Sequence, residues 1–280
     1  MAGTSMKDIK LRIRSVESTR QITKAMQLVA TSKLRRAKER MENSKPYASV
    51  SREAVMAAVR SCSSLDTPFV ASRPTGKRCY VVIAGERGLA GGYNSNVFKA
   101  VAAHCGGAPA CVLPLGRKAI EKYHREGSQL LSSDYARVES ISVGGCYKIA
   151  NKLIAGFLNG QFSEIYLACT SFHSMMSQDA VIEQLLPIEK DETVETTSCT
   201  IYEPNAAEAL QRIMPDFIAG RIYSALCDSF ASEVAARRTA MDAATKNADA
   251  MISDLTLKYN RARQGAITQE ITEIVAGAEE

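Results

Sequence analysis

The chain has 280 residues and a net charge of +5, a length that allows one large domain or two smaller ones. The charge is uneven, because residues 1–60 hold 14 basic and 5 acidic side chains, whereas the remainder is net acidic. Only 3 histidines, no CxxC pair among 8 cysteines and no apolar run long enough to span a bilayer argue against a zinc site, a disulfide framework and a membrane helix.

The first predicted element is a helix. Residues 5–43 contain neither proline nor glycine, and Ser5 and Asp8 have the spacing of a capping box. We expect Pro46 to interrupt this helix, which then resumes over residues 50–61. The residues predicted to share one apolar face are Ile9, Ile13, Val16, Ile22, Met26, Val29 and Ala37.

The basic N-terminal segment predicts an acidic partner. No aromatic residue precedes Tyr47, so stacking on nucleic-acid bases has little support. We therefore expect an acidic protein rather than a nucleic acid to face this helix. No signal or transit peptide is recognised, so we expect a cytoplasmic protein that reaches a membrane only through a partner.

Strands and helices are predicted to alternate in the central part of the chain. A linker at 66–76 precedes it, residues 128–144 stay unassigned, and an acidic loop at 189–198 follows. Strands are predicted at 79–84, 110–115, 164–170 and 180–188, and helices from Asn94 or Ser95 to about 104, at 117–125 and at 146–158. This alternation predicts an α/β domain on a largely parallel sheet.

The C-terminal segment is predicted to be a second long helix. Asn205 is placed to cap a new helix, and Pro215 either kinks that helix or marks its restart. Residues 216–280 contain no proline, and their apolar stripe is rich in small side chains that allow close approach of one partner helix. The stripe consists of Leu226, Phe230, Val234, Met241, Ala244, Ala248, Ile252, Leu255, Tyr259 and Ala262.

The predicted fold class is therefore α/β, with a long antiparallel coiled coil of the N- and C-terminal helices plus a central Rossmann-like α/β domain. We assign 1–64 to the N-terminal coiled-coil helix, 77–190 to the α/β domain and 205–280 to the C-terminal coiled-coil helix.

The glycine-rich stretch from Gly85 to Gly92 is the one segment that suggests nucleotide binding. It lies between a strand and a helix, but its spacing is GxxGxxGG, whereas the dinucleotide fingerprint is GxGxxG. A structural turn is the favoured interpretation, with Gly88 and Gly91 needed for backbone geometry. The histidines are isolated, so no catalytic residue, metal site or cofactor is predicted. Cys105 and Cys111 allow a redox switch, although free thiols are preferred.

Three passages together resemble the gamma subunit of the F-type ATP synthase in its bacterial form. They are RQITKAM at 20–26 with VATSK at 29–33, GERGLAGGYN at 85–94, and YNRARQGAITQEITEI at 259–274. The resemblance extends over essentially the whole chain and is most specific at the C-terminal passage.

The resemblance implies a central rotor shaft that makes no covalent bond itself. Its coiled coil lies inside a hexamer of three alpha and three beta subunits, and its α/β domain forms a foot on the epsilon subunit and the c ring. Proton flow turns the ring and the shaft, which drives ATP synthesis or hydrolysis at the beta subunits. One copy per complex is implied, at the cytoplasmic face of the bacterial inner membrane and touching that membrane only through the c ring.

Residue roles follow from the resemblance by motif match. It implies that Arg237, Arg263, Gln264 and Thr268 contact the beta subunit, that Lys24 and Met26 belong to a coupling-sensitive part of the first helix, and that Glu203 lies on the foot facing the c ring and epsilon. Cys199 stands alone where the chloroplast form has a cysteine pair, so its thiol switch is not expected.

Two other hypotheses remain open at this point. One is a non-rotary coiled-coil scaffold with an α/β head, which would not associate with alpha and beta subunits. The other is a nucleotide-binding α/β protein with helical arms, which would bind nucleotide near residues 85–92.

Overall fold

The computed structural model of the chain describes residues 6–61, 67–70, 76–189 and 201–278. Its elements in chain order are α1 (Met6–Ser61), β1 (Lys77–Ile83), α2 (Tyr93–Cys105), β2 (Cys111–Leu115), α3 (Arg117–Arg125), β3 (Gln129–Leu130), a 3-10 turn (Val138–Ser140), α4 (Val143–Leu158), β4 (Phe162–Phe172), β5 (Gln178–Leu186) and α5 (Ala206–Ala278). The chain divides into two compact units, Met1–Thr31 with Arg237–Glu280, and Ser32–Ala236.

In the first unit, α1 and α5 lie side by side and antiparallel. Polar contacts join Arg20 to Asp249 at 3.0 Å, Thr23 to Thr245 at 2.9 Å, Gln27 to Asp242 at 2.7 Å and Thr31 to Arg238 at 3.1 Å. The α5 number falls as the α1 number rises, which only antiparallel helices produce. The predicted antiparallel coiled coil is confirmed.

The seam of this pair follows the predicted stripe on α5 but not throughout α1. Met241 and Ala248 are buried as expected. On α1, Ile22 and Val29 were predicted to face the partner, yet they are 57% and 58% exposed. Their neighbours Thr23 and Ala30 are buried instead. Ile9, Val16, Thr23 and Ala30 follow one another at seven-residue steps, as the seam positions of a coiled coil do. The Thr23 hydroxyl can be buried because the Thr245 hydroxyl lies within hydrogen-bond distance.

This register predicts a specific cross-link. The hydroxyl oxygens of Thr23 and Thr245 are 2.9 Å apart, so cysteines at both positions should form a disulfide under mild oxidation. Peptide mapping by mass spectrometry identifies the bond against the native cysteines. In the matched control, Thr23→Cys with Lys246→Cys, the second thiol sits on the exposed side of α5 and should stay unlinked. Equal linkage in the two variants would contradict the register.

In the second unit, five strands form one sheet in the order β3-β2-β1-β4-β5. All neighbouring strands are parallel except β5, which is antiparallel to β4. The strands alternate their side chains between two apolar layers: Val81 and Ile83 join the layer that includes α4, whereas Tyr80 and Val82 join the layer with α2. The predicted, largely parallel Rossmann-like sheet is therefore present.

Two proline expectations differ from the structure. Pro46 lies inside α1 without ending it, and Pro215 lies inside α5, so the predicted interruption and restart are wrong. Each proline removes one backbone donor. Burial of the same helices offsets this loss, because Ala48 and Val55 on α1 and Ile218 on α5 are almost completely removed from solvent.

The unassigned stretch 128–144 contains β3, an edge strand of two residues, Gln129 and Leu130. It pairs with Cys111 and Val112 of β2. A two-residue strand has no periodicity of its own, and its conformation follows from the neighbouring strand.

Candidate functional site

Three of the residues matched to beta-subunit contacts lie close together near the end of α5. Arg263, Gln264 and Thr268 are all exposed. The Thr268 hydroxyl donates to the Gln264 backbone carbonyl at 2.9 Å, so this hydroxyl is bonded within the helix. The arrangement offers a guanidinium and an amide on neighbouring positions, which suits contact with carboxylates or backbone carbonyls of another chain.

An exposed apolar stripe that the sequence analysis missed begins beside these residues. Ile267, Ile271, Ile274 and Val275 are 48%, 57%, 67% and 54% exposed, and we call them the C-terminal apolar stripe. Their spacing of three and four residues places them on one side of α5. Every residue from 263 to 275 is exposed. The same spacing is visible in the sequence, but the predicted stripe ended at Ala262.

Arg237, the fourth matched contact, lies elsewhere on α5. It is 26 residues before Arg263, which corresponds to roughly 39 Å along a helix. Its side chain is half-buried, in contrast to the exposed Arg263. The structure therefore does not bring the four matched residues into one site, and any common partner must contact α5 at two separate levels.

Lys24 and Met26 lie on α1 in the same unit. Met26 is half-buried, whereas Lys24 is exposed and acts on Asp242 of α5. The pKa of Asp242 lies below its ordinary value, first because Lys246 bonds to its carboxylate, and further because Gln27 donates to it and Lys24 is nearby. The matched stretch of α1 is thus electrostatically tied to α5.

Glu203 lies in the other unit, exposed and just before α5. Asn205 caps that helix as predicted, because its side-chain oxygen accepts from the Glu208 N–H at 2.9 Å.

The glycine turn after β1 differs in detail from its prediction. Asn94 or Ser95 was expected to cap α2, but both lie inside this helix, and the cap position belongs to Gly92. The Oδ1 atom of Asn94 accepts from the Gly85 N–H at 2.8 Å instead. Positive φ occurs at Leu89 and Gly91, at 62° and 55°, but not at Gly88. The expectation that Gly88 needs this conformation is therefore wrong.

The cysteines of the described residues have free thiols. Cys111 is buried on the α4 side of the sheet, whereas Cys105 packs against the α2 side, so the two do not form the redox pair considered above. Cys199 lies outside the described residues. Within residues 6–61, 67–70, 76–189 and 201–278, no group of three His, Cys, Asp or Glu side chains is placed to hold a metal ion, and no helix is long and apolar enough to cross a membrane.

Asp228 on α5 predicts a pH effect on stability. Burial raises the pKa of its carboxyl above the ordinary 3.8, and the nearby cations Lys45 and Arg221 offset this only in part. Because the pKa of Asp228 is higher in the folded than in the unfolded chain, this carboxyl favours folding at pH values below its ordinary pKa. That contribution to the free energy of unfolding is lost as the pH rises through the raised pKa.

We therefore expect Asp228→Asn to be more stable than the native chain at pH 7, by no more than about 1 kcal/mol because solvent still screens this group. The advantage should disappear as the pH falls below the ordinary pKa of the carboxyl. Urea unfolding at pH 7 and at about pH 3, below the ordinary pKa of an aspartate, measures it. A difference that grows towards acid pH would contradict the assignment.

Comparison with known proteins shows to which family the chain belongs. The family model described as "ATP synthase" matches residues 5–280. The ATP synthase gamma chain of Lachnoclostridium phytofermentans is 43% identical over 286 residues, covering 98% of both chains. That of Ruminococcus albus is 44% identical over 276 residues, covering 96% of both.

This chain belongs to the ATP synthase gamma-chain family. A further gamma chain, from Acetobacterium woodii and described as sodium ion specific, is 39% identical over 301 residues. Among solved structures, a chain in the rotor of the mitochondrial ATP synthase of Euglena gracilis matches with a TM-score of 0.68 at 16% identity, covering 95% of this chain and 100% of that chain. At 16% identity, the similarity to this solved structure concerns the fold alone. The contact roles of individual residues in this gamma chain stay a prediction.

Proposed function

We propose that this gamma chain is the central rotor shaft of an F-type ATP synthase, coupling transmembrane proton flow to ATP synthesis and hydrolysis at the beta subunits. The observation that carries the proposal is the C-terminal end of α5, where every residue from 263 to 275 is exposed and four of them form the C-terminal apolar stripe. Exposed apolar surface of this kind marks a contact with another protein. In a gamma chain, an alpha3beta3 hexamer is the partner that fits.

The chain acts in this proposal without making a bond. Its effect on catalysis is a difference in contact free energy with three conformations of the beta subunit. As the shaft turns, α5 presents the C-terminal apolar stripe and its polar neighbours to each beta subunit in turn. The catalytic groups belong to the hexamer, and this chain needs no cofactor of its own.

The matched residues take distinct roles in the rotor. Arg263, Gln264 and Thr268 contact beta near the end of the shaft, and Arg237 contacts it at the lower level. Lys24 and Met26 belong to the coupling part of α1, where Lys24 and Gln27 face Asp242 of α5. An electrostatically tied helix pair transmits a push on one helix to the other.

The α/β unit serves as the foot. Glu203 is exposed at the start of α5 and faces the c ring and the epsilon subunit in this proposal. One copy per complex stands at the cytoplasmic face of the bacterial inner membrane, attached through the c ring alone. The described helices, none of which can span a membrane, accord with a peripheral subunit.

Affinity purification tests this assignment. The tagged full-length chain, expressed with the ATP synthase subunits of its own genome, should run on native gels in one complex with alpha, beta, epsilon and c subunits identified by mass spectrometry. A tagged epsilon subunit provides the matched control, because it should recover the same complex. Recovery of this chain without alpha and beta would favour the non-rotary scaffold.

A further inference from the structure

The topology of the sheet creates a crevice that doubly wound proteins use for ligands. In the order β3-β2-β1-β4-β5, the chain proceeds from β1 to β2 and β3 on one side and then crosses back to β4 on the other side of β1, with α2 and α4 on opposite faces of the sheet. The crevice at the carboxyl ends of two such strands is the usual ligand position, with anionic groups at the turn after β1. Here that turn begins at Gly85 and leads into α2.

A side chain of α5 occupies this position. Glu233 is only 5% exposed, and a β-carbon placed on Gly85 would lie 2.8 Å from its Oε1 and 2.9 Å from its Cδ. A real β-carbon does not approach a heavy atom so closely, so the carboxyl group rests directly on the glycine backbone. The Gly85 N–H is held by Asn94 Oδ1 at 2.8 Å, which fixes the turn beneath the carboxyl group.

The same helix also contacts the other side of the crevice. Ser229, one helical turn before Glu233, is completely buried and accepts from the Thr170 N–H of β4 at 3.1 Å. Since β1 pairs with β4 as far as Val82 and Ala168, Thr170 and Gly85 lie at the carboxyl ends of the two paired segments. One turn of α5 therefore closes the crevice from both strands.

We propose that the Glu233 carboxylate is an internal ligand of the glycine turn, held where a doubly wound fold would bind an external anion. It excludes nucleotide from the crevice and fixes α5 to β1. Gly85 is glycine because the carboxylate needs the space of a side chain there. Both partners lie in the same compact unit, Ser32–Ala236.

A double-mutant cycle on the full-length chain tests the close approach. Gly85→Ala should lower the melting temperature by about 5–10 °C, because the new methyl group overlaps the carboxylate. In the Glu233→Ala background the same change should lower it by about half as much or less, because the carboxylate is gone and only Asn94 Oδ1, at 3.2 Å from the β-carbon, remains close. Gly88→Ala is the matched control, because a β-carbon there meets nothing within 4 Å.

Equal losses from Gly85→Ala in the two backgrounds would overturn the proposal. If Glu233→Ala is insoluble, Glu233→Asp completes the cycle, because it withdraws the carboxylate by one carbon and should also relieve part of the Gly85→Ala loss. If Gly85→Ala lowers the melting temperature of the Glu233→Asp chain as much as that of the native chain, the proposal is also overturned.

A salt comparison tests whether the turn recognises an anion. Glu233→Ala leaves a space that acetate can enter, so sodium acetate should raise the melting temperature of this variant above its value in sodium chloride of equal ionic strength, by about 3 °C or more. The native chain, whose site is filled, should show no such difference. The same response in both chains, or none in the variant, would reject a carboxylate site.

Discussion

Gly116→Ala is expected to prevent stable folding of the α/β unit. Gly116 has φ of 104°, and a β-carbon placed there would lie 2.0 Å from the Ala84 carbonyl oxygen and 2.8 Å from its carbon. Both atoms are backbone at the carboxyl end of β1, so no side-chain rotation relieves the overlap. Together with the strain of positive φ, the loss should exceed about 4 kcal/mol.

Thermal unfolding of the full-length chain measures this loss, and Gly127→Ala separates its two causes. Gly127 also has positive φ, at 74°, but a β-carbon there meets nothing within 4 Å. Its substitution should cost only about 1–2 kcal/mol, the strain of the left-handed backbone alone. A Gly116→Ala chain as stable as Gly127→Ala would contradict the close approach of β1 to α3.

Arg263→Ala with Gln264→Ala is expected to lower ATP synthesis and ATP-driven proton pumping of the assembled complex by about 10- to 100-fold. The reason is the loss of the charge-assisted contact proposed for Arg263, since a contact of this kind is worth roughly 1.5–3 kcal/mol. Both side chains are exposed on α5, so their removal should leave the helix folded. Reconstituted vesicles measure the two rates, and native gels measure assembly.

Thr256→Ala provides the matched control for this variant. Thr256 is also exposed on α5, and its hydroxyl donates to the Ile252 carbonyl within the helix. The control should retain native rates. Native rates in an assembled Arg263/Gln264 double variant would show that neither residue carries coupling, and would remove both from the contact surface.

The repeating features of this fold could be predicted because periodicity reports them directly. The apolar stripe on α5 is regular, and Met241 and Ala248 lie on its buried side as expected. Which side of α1 faces α5 was harder to predict, because Ile22 and Val29 are more apolar than Thr23 and Ala30 but are exposed. The buried position of Thr23 depends on Thr245 of α5, whose hydroxyl forms a hydrogen bond with that of Thr23 at the seam. Single-helix patterns do not contain that information.

The candidate sites differ in the same way. Arg263 and Gln264 were proposed by resemblance, because their passage is specific in sequence, and their contact with beta stays a prediction. Glu233 was missed although it is an acidic residue among small and apolar side chains of α5. Its role depends on a contact 148 residues away, at Gly85, and on the absence of a side chain there. Residue spacing along one helix cannot predict such a contact.

The most direct test of the rotor assignment is single-molecule rotation. The alpha3beta3 hexamer is fixed to a surface, and a bead is attached to this chain at Met176→Cys, an exposed position between β4 and β5. With ATP, the bead should turn in one direction and pause at three angles in each turn, because three beta subunits act in sequence. A bead that stays still while the assembled complex hydrolyses ATP would contradict the role of this chain as a rotor.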